Sequence, residues 1–109
     1  MKLTQKIMLY VPATIGNEKV DNKEQVGHVA TELCKMFGGA TALPPVRGFW
    51  ADTETGELIE EPTVQVYAMA TLFQRLTFRQ KIRELAKWIK SEMKQQSVAL
   101  EINGSMEFL

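Results

Sequence analysis

The chain has 109 residues, 45% hydrophobic and 24% charged, with 13 Lys and Arg against 13 Asp and Glu. That is the size and make-up of one ordinary globular domain, expected to span 1–109, and it excludes a disordered or fibrous chain. Zero net charge excludes a global field steering the protein to nucleic acid or membrane. The single cysteine, Cys34, cannot close an internal disulfide and fits a reducing compartment. The apolar run near the N-terminus alternates and is too short for a signal peptide or a membrane span, so a cytoplasmic protein without membrane contact is expected.

In chain order, "KIMLYVP" (6–12) places aliphatic side chains at Ile7, Leu9 and Val11, which predicts a strand ended by Pro12. A polar connector containing glycine follows. "DNKEQVGHVATELCKMFGG" predicts an amphipathic helix, with Asp21 and Glu24 as a capping-box-like start. Val26, Val29, Ala30, Leu33 and Phe37 recur at helical spacing, and Gly38-Gly39 supply the left-handed stop. "VRGFWAD", "TETGE" and "ELIEEPTVQVYAMA" predict a β-hairpin with an acidic tip turning at Gly56.

In "TFRQKIRELAKWIKSEMKQQ", Phe78, Ile82, Leu85, Ile89 and Met93 form one apolar stripe and predict a second helix. "SVALEI" predicts a strand, Asn103-Gly104 a tight turn, and "SMEFL" a short return. The order is β-α-β-β-α-β. The expected fold class is therefore α+β, a ferredoxin-like βαββαβ sandwich: an antiparallel sheet with two helices on one face.

Leu9-Tyr10, Gly39 with Thr41, Gly48 with Trp50, Gly56, Glu60 or Glu61, Gln95 or Gln96 with Ser97-Val98, and Phe108 follow one another across nearly the whole chain. In that order they resemble a family of small bacterial α+β domains of unknown function, with an LY first strand, a G-x-T step, a G-x-W, a glycine turn and a closing Q-x-S-V strand. Where members of that family carry an aromatic-glycine after LY, this chain has Val11-Pro12. The resemblance implies the fold and a structural Trp50, packed or half-packed against the sheet; it implies no mechanism.

No catalytic constellation is expected. His28 is the only histidine, no GxSxG elbow is present, and the glycines at 38 and 39 end a helix where a phosphate loop would begin one. His28 and Cys34 alone make no closed metal site, so neither a metal nor a cofactor is expected.

Three candidate binding surfaces remain. Met8, Tyr10, Tyr67 and Met69 fall on the sheet face away from the core-facing aliphatics, an apolar patch that predicts a partner or a second copy of the chain. Asp52, Glu54, Glu57, Glu60 and Glu61 form the acidic hairpin. Arg79, Arg83, Lys87, Lys90 and Lys94 form a basic stripe on the second helix. Residues 71–96 carry seven bases and two acids, whereas residues 48–70 carry five acids and no base.

The reading that follows is a non-enzymatic module docking on a macromolecular partner, as a homodimer, in the manner of a phage or mobile-element inhibitor of bacterial defence. One alternative is a dimeric ferredoxin-like small-molecule-binding protein or enzyme using Tyr10, Tyr67, His28 or Trp50. A second is nucleic-acid binding through the basic helix.

Overall fold

The computed structural model describes residues 1–109. Alternating aliphatic residues build β1 (Gln5–Pro12) and the far half of β6 (Leu58–Ala70), which pair antiparallel at the centre of the sheet with Ile7 opposite Ala68 and Leu9 opposite Val66. β7 (Ala99–Ile102) lies on the other side of β1, and β8 (Ser105–Phe108) flanks β7. On the opposite edge, β6 pairs with β4 (Thr41–Ala42) and, further along, with β5 (Val46–Ala51). Pro44 and Pro45, which lack the donor a ladder needs, separate β4 from β5.

The expected hairpin is therefore present as β5–β6, and Gly56 at its turn takes a positive φ of 73°. Gly48 sits where a Cβ would come within 3.1 Å of the Glu61 carbonyl oxygen, a close approach that only glycine makes without displacement. Asn103 and Gly104 both have positive φ (53° and 84°) and link β7 to β8 as the primed turn their sequence predicts.

The helices cover one face. α1 (Lys23–Phe37) buries Val29, Leu33, Met36 and Phe37, and Gly38 ends it with a left-handed φ of 87°, its N–H donating to the Cys34 carbonyl. Its start departs from the expected capping box. Asn22 is the cap residue but is buried, and its side-chain amide donates to the Val11 and Pro12 carbonyls instead, tying the helix entry to the end of β1. Asp21 accepts from the Lys23 N–H.

The one helix expected over 77–96 is two, so the molecule has three helices rather than two. α2 (Leu72–Thr77) opens on a complete capping box between Thr71 and Gln74, and α3 (Arg79–Glu92) follows after Phe78. Ile82, Leu85, Ala86 and Ile89 of α3 face the sheet, and Met93 is buried just past its end. Phe78 stays at the rim, edge-on to Phe37 with ring centroids 5.7 Å apart.

A further departure is the two-stranded ribbon of β2 (Thr14–Ile15) and β3 (Glu18–Lys19) in the connector read as irregular. The architecture is mixed α+β, with an antiparallel sheet and three helices whose core lies between the sheet and the helices. No helix is long and apolar enough to cross a membrane.

Candidate functional site

Because strand side chains alternate between faces, the residues between the core aliphatics must emerge on the side without helices. On β1 these are Lys6, Met8 and Tyr10; on β6 they are Gln65, Tyr67 and Met69. The register sets Lys6 opposite Met69, Met8 opposite Tyr67, and Tyr10 opposite Gln65. β7 adds Glu101, also opposite Met8, and β8 adds Met106 and Phe108. The Met/Tyr patch is thus assembled as the alternation predicts, with one change: Met8 is only 5% exposed, so it forms the floor of the face.

Polar contacts organise this face. The Tyr10 hydroxyl donates to Glu101 Oε1 at 2.8 Å. Burial first, and the neighbouring Glu101 second, hold the phenol above its ordinary value, with Gln65 acting in the opposite sense. The phenol is therefore a proton donor throughout the neutral range, and it orients a carboxylate on the bare side of the sheet. Lys6 Nζ lies 4.5 Å from the centroid of the Tyr67 ring. Next to Tyr67, at the sheet edge where α1 ends, opens a cleft of about 450 Å³, lined by Phe37, Gly39, Thr41, Tyr67, Ala68 and Met69. A carboxylate, two phenols and soft methionine side chains beside an apolar cleft suit a flat ring carrying a cationic group nearby.

Sequence reasoning missed Glu101 and Lys6 as members of this site. The signal for Glu101 was present: in "ALEI" it lies between Leu100 and Ile102, so once those face the core it must share a face with Tyr10.

The other two surfaces are less free than their sequences imply. In the hairpin, Asp52 Oδ1 accepts from the N–H groups of Glu54 and Thr55 at 2.8 and 3.0 Å. Those bonds, Thr55 first, hold its carboxyl below the usual range. Arg47 Nε donates to Glu60 Oε1 at 2.6 Å and lowers the Glu60 carboxyl likewise. Glu61 accepts from the Thr14 hydroxyl at 3.1 Å. Glu54 and Glu57 are exposed and form no ion pair. Trp50 is 49% exposed, less covered than the packed or half-packed position the resemblance implies.

The basic stripe does not run as one free row. Arg83 is bound to both oxygens of Glu107 at 2.8 and 2.9 Å, and Lys94 lies past the end of α3 with φ 49°. Arg79 and Lys87 are exposed on α3 while Lys90 is half-buried. His28 is exposed and stacks on Trp88 with ring centroids 4.1 Å apart. No group of three or more His, Cys, Asp or Glu side chains converges anywhere in the molecule.

No protein-family model matches the chain, and no curated protein matches it significantly. Among solved structures, a phage SAM lyase in complex with S-methyl-5'-thioadenosine superposes with a TM-score of 0.74 at 19% identity, covering 100% of this chain and 93% of that one. A phage SAM lyase in the apo state gives 0.71 at 23% identity over 98% of this chain and 89% of the other. The divalent cation tolerance protein CutA1 from Thermus thermophilus gives 0.56 at 13% identity, over 97% and 81%. The neighbours are small α+β proteins, which agrees at the level of fold with the resemblance drawn from the sequence. They also overturn the first functional expectation: a non-enzymatic docking module is the wrong reading for a chain that superposes end to end on an enzyme, and the small-molecule alternative stands better.

Proposed function

We propose that the protein is a small-molecule enzyme of the ferredoxin-like kind that cleaves an adenosyl sulfonium, S-adenosylmethionine, by lyase chemistry on the helix-free face around Tyr10, Tyr67 and Glu101. The observation that carries this reading is the full-length likeness to a SAM lyase in complex with S-methyl-5'-thioadenosine. The sheet order β4–β6–β1–β7–β8, each helical connection skipping one strand, supports the ferredoxin-like description.

The chemistry explains why no catalytic constellation is legible. S-methyl-5'-thioadenosine is what remains when S-adenosylmethionine loses its four-carbon amino-acid fragment. The Cγ–S bond breaks, its electron pair goes to sulfur, and the sulfonium becomes a neutral thioether. The fragment departs as a lactone when its own carboxylate closes on Cγ, or as an alkene when a β-proton is lost to a base. Lactone closure annihilates a positive and a negative charge, so its transition state is less polar than the bound substrate and a dry site of low dielectric favours it. Such a step needs positioning and water exclusion more than proton transfer.

In this reading the Glu101 carboxylate, held by Tyr10, attracts the cationic end of the substrate, and Tyr67 packs on its flat base beside the cleft of about 450 Å³. One chain leaves that face open to solvent. A second copy laid over it would supply the water exclusion, which gives the expected homodimer a chemical reason. The whole chain acts as one domain, and a phage or bacterial source accords with the phage SAM lyases it superposes on.

The test is direct. Purified protein incubated with S-adenosylmethionine is expected to release S-methyl-5'-thioadenosine, resolved by chromatography, above the rate in a heat-denatured control. Glu101→Gln is expected to slow release roughly tenfold to hundredfold, as loss of a preorganised electrostatic contact does. No release above the control would sink the lyase reading, whereas release undiminished in Glu101→Gln would move the site elsewhere.

A further inference from the structure

On the opposite side of the sheet, a second cleft of about 430 Å³ opens where the α2–α3 junction meets β7 and β8. Its apolar floor is Leu76, Ile82, Leu100 and Ile102, and Arg75, Arg79 and Arg83 line it from the helices. Two of these guanidinium groups are held by the fold. Arg75 Nε donates to Gln5 Oε1 at 2.8 Å, and that oxygen also accepts from Asn103 Nδ2 at 2.7 Å. Arg83 Nη1 is held by both oxygens of Glu107. Arg75 keeps its two terminal nitrogens free and Arg83 keeps Nη2 free, while Arg79 between them is exposed and forms no ion pair. Three arginines against Glu107 alone leave the lining two positive charges in excess. Arg79 is also the first residue of α3, directly after the Phe78 junction with α2.

We infer that this cleft is a binding site for a phosphate monoester carried on an apolar or aromatic body. Each part of that ligand has a counterpart. The phosphate monoester bears between about 1.5 and 2 negative charges at neutral pH, which matches the excess charge as a single carboxylate does not. Planar guanidinium groups fixed through one nitrogen present their remaining N–H pairs to phosphate oxygens in two-pronged fashion. Four aliphatic side chains beneath offer a ledge for the rest of the molecule, and the volume lies within the usual range for small-molecule sites. A nucleic acid backbone fits less well, because Glu107 faces the arginines across the cleft and would repel a continuous run of phosphates.

The probe is 1-naphthyl phosphate, titrated calorimetrically against the full chain, with inorganic phosphate and 1-naphthoate as comparators. Arg79 lines this cleft and not the one beside Tyr67, so the Arg79 variants separate binding here from binding at the proposed lyase site. The expected result is saturable binding about tenfold tighter than either comparator, because each lacks one half of the match. Arg79→Ala is expected to weaken the probe about tenfold, with Arg79→Lys recovering only part, since a lysine restores the charge without the fork. Release of S-methyl-5'-thioadenosine should be the same in both variants as in wild type, and an unchanged far-ultraviolet dichroism spectrum shows that they fold. Equal affinity for inorganic phosphate and the probe would overturn the proposal, as would undiminished binding by Arg79→Ala or no saturation up to about 10 mM.

Discussion

The Tyr10–Glu101 hydrogen bond is where one residue's environment bears most directly on function. Tyr10 is half-buried against the sheet, and burial together with the carboxylate beside it raises its phenol above the ordinary 10.0. A raised folded value means that the phenol stabilises the fold fully below the unfolded value of about 10, and that this contribution is lost as pH rises through the folded value. The ultraviolet titration of wild type minus that of Tyr10→Phe should therefore show a transition above pH 10; one below it would mean that the bond to Glu101 does not persist in solution. Asp52 and Glu60 have the opposite sign. Their lowered carboxyls favour the fold above about pH 4, an effect lost as pH falls through the folded values. Amide resonances of Glu54 and Thr55 should move together below about pH 4 as Asp52 protonates and releases them, and amides that stay still would deny Asp52 its role in the turn.

At the scale of elements, the periodic ones were legible and those held by single contacts were not. The α3 stripe and the alternation of β1 and β6 each repeat a burial pattern over many residues, so local errors average out. α2 escaped, although T-x-x-Q stands in the sequence at Thr71 and Gln74. None of its residues is buried, with Leu72, Phe73 and Leu76 all more than half exposed, so it rests on its cap rather than on the core. Thr71→Ala should then cost about 1 kcal/mol and loosen α2 selectively, as read by amide exchange. The α1 entry failed for a different reason: Asn22 caps no helix N–H but bonds to two carbonyls at the end of β1, a partner ten residues away in sequence. Asn22→Ala should lower stability by about 1–3 kcal/mol in denaturant unfolding, since it removes the amide from both buried carbonyls, although Val11 keeps the Thr63 hydroxyl. A change near zero would mean that water replaces the amide there.

At the scale of the whole molecule, charge separates between the hairpin and the helices, yet much of it is answered internally, by Arg47 on Glu60 and by Glu107 on Arg83. The sheet face opposite the helices carries no helix. If a second copy covers it, light scattering will give a multiple of the chain mass for wild type and a single-chain mass for Tyr67→Glu, because the change replaces an aromatic contact with a charge that must be desolvated at an interface. A single-chain mass in both would leave the lyase site to exclude water by some other means. The sequence by itself determined which side chains share a face, where the two long amphipathic helices lie and where the β5–β6 and β7–β8 hairpins turn, because period, proline and glycine act locally on the backbone. Only the tertiary structure decided that Glu101 meets Tyr10 across 91 residues, that Met8 lies beneath its neighbours, and that three arginines from two helices line a cleft against β7 and β8. Those facts depend on strand order and register, and pairings between distant segments leave no periodic mark on the residues that make them.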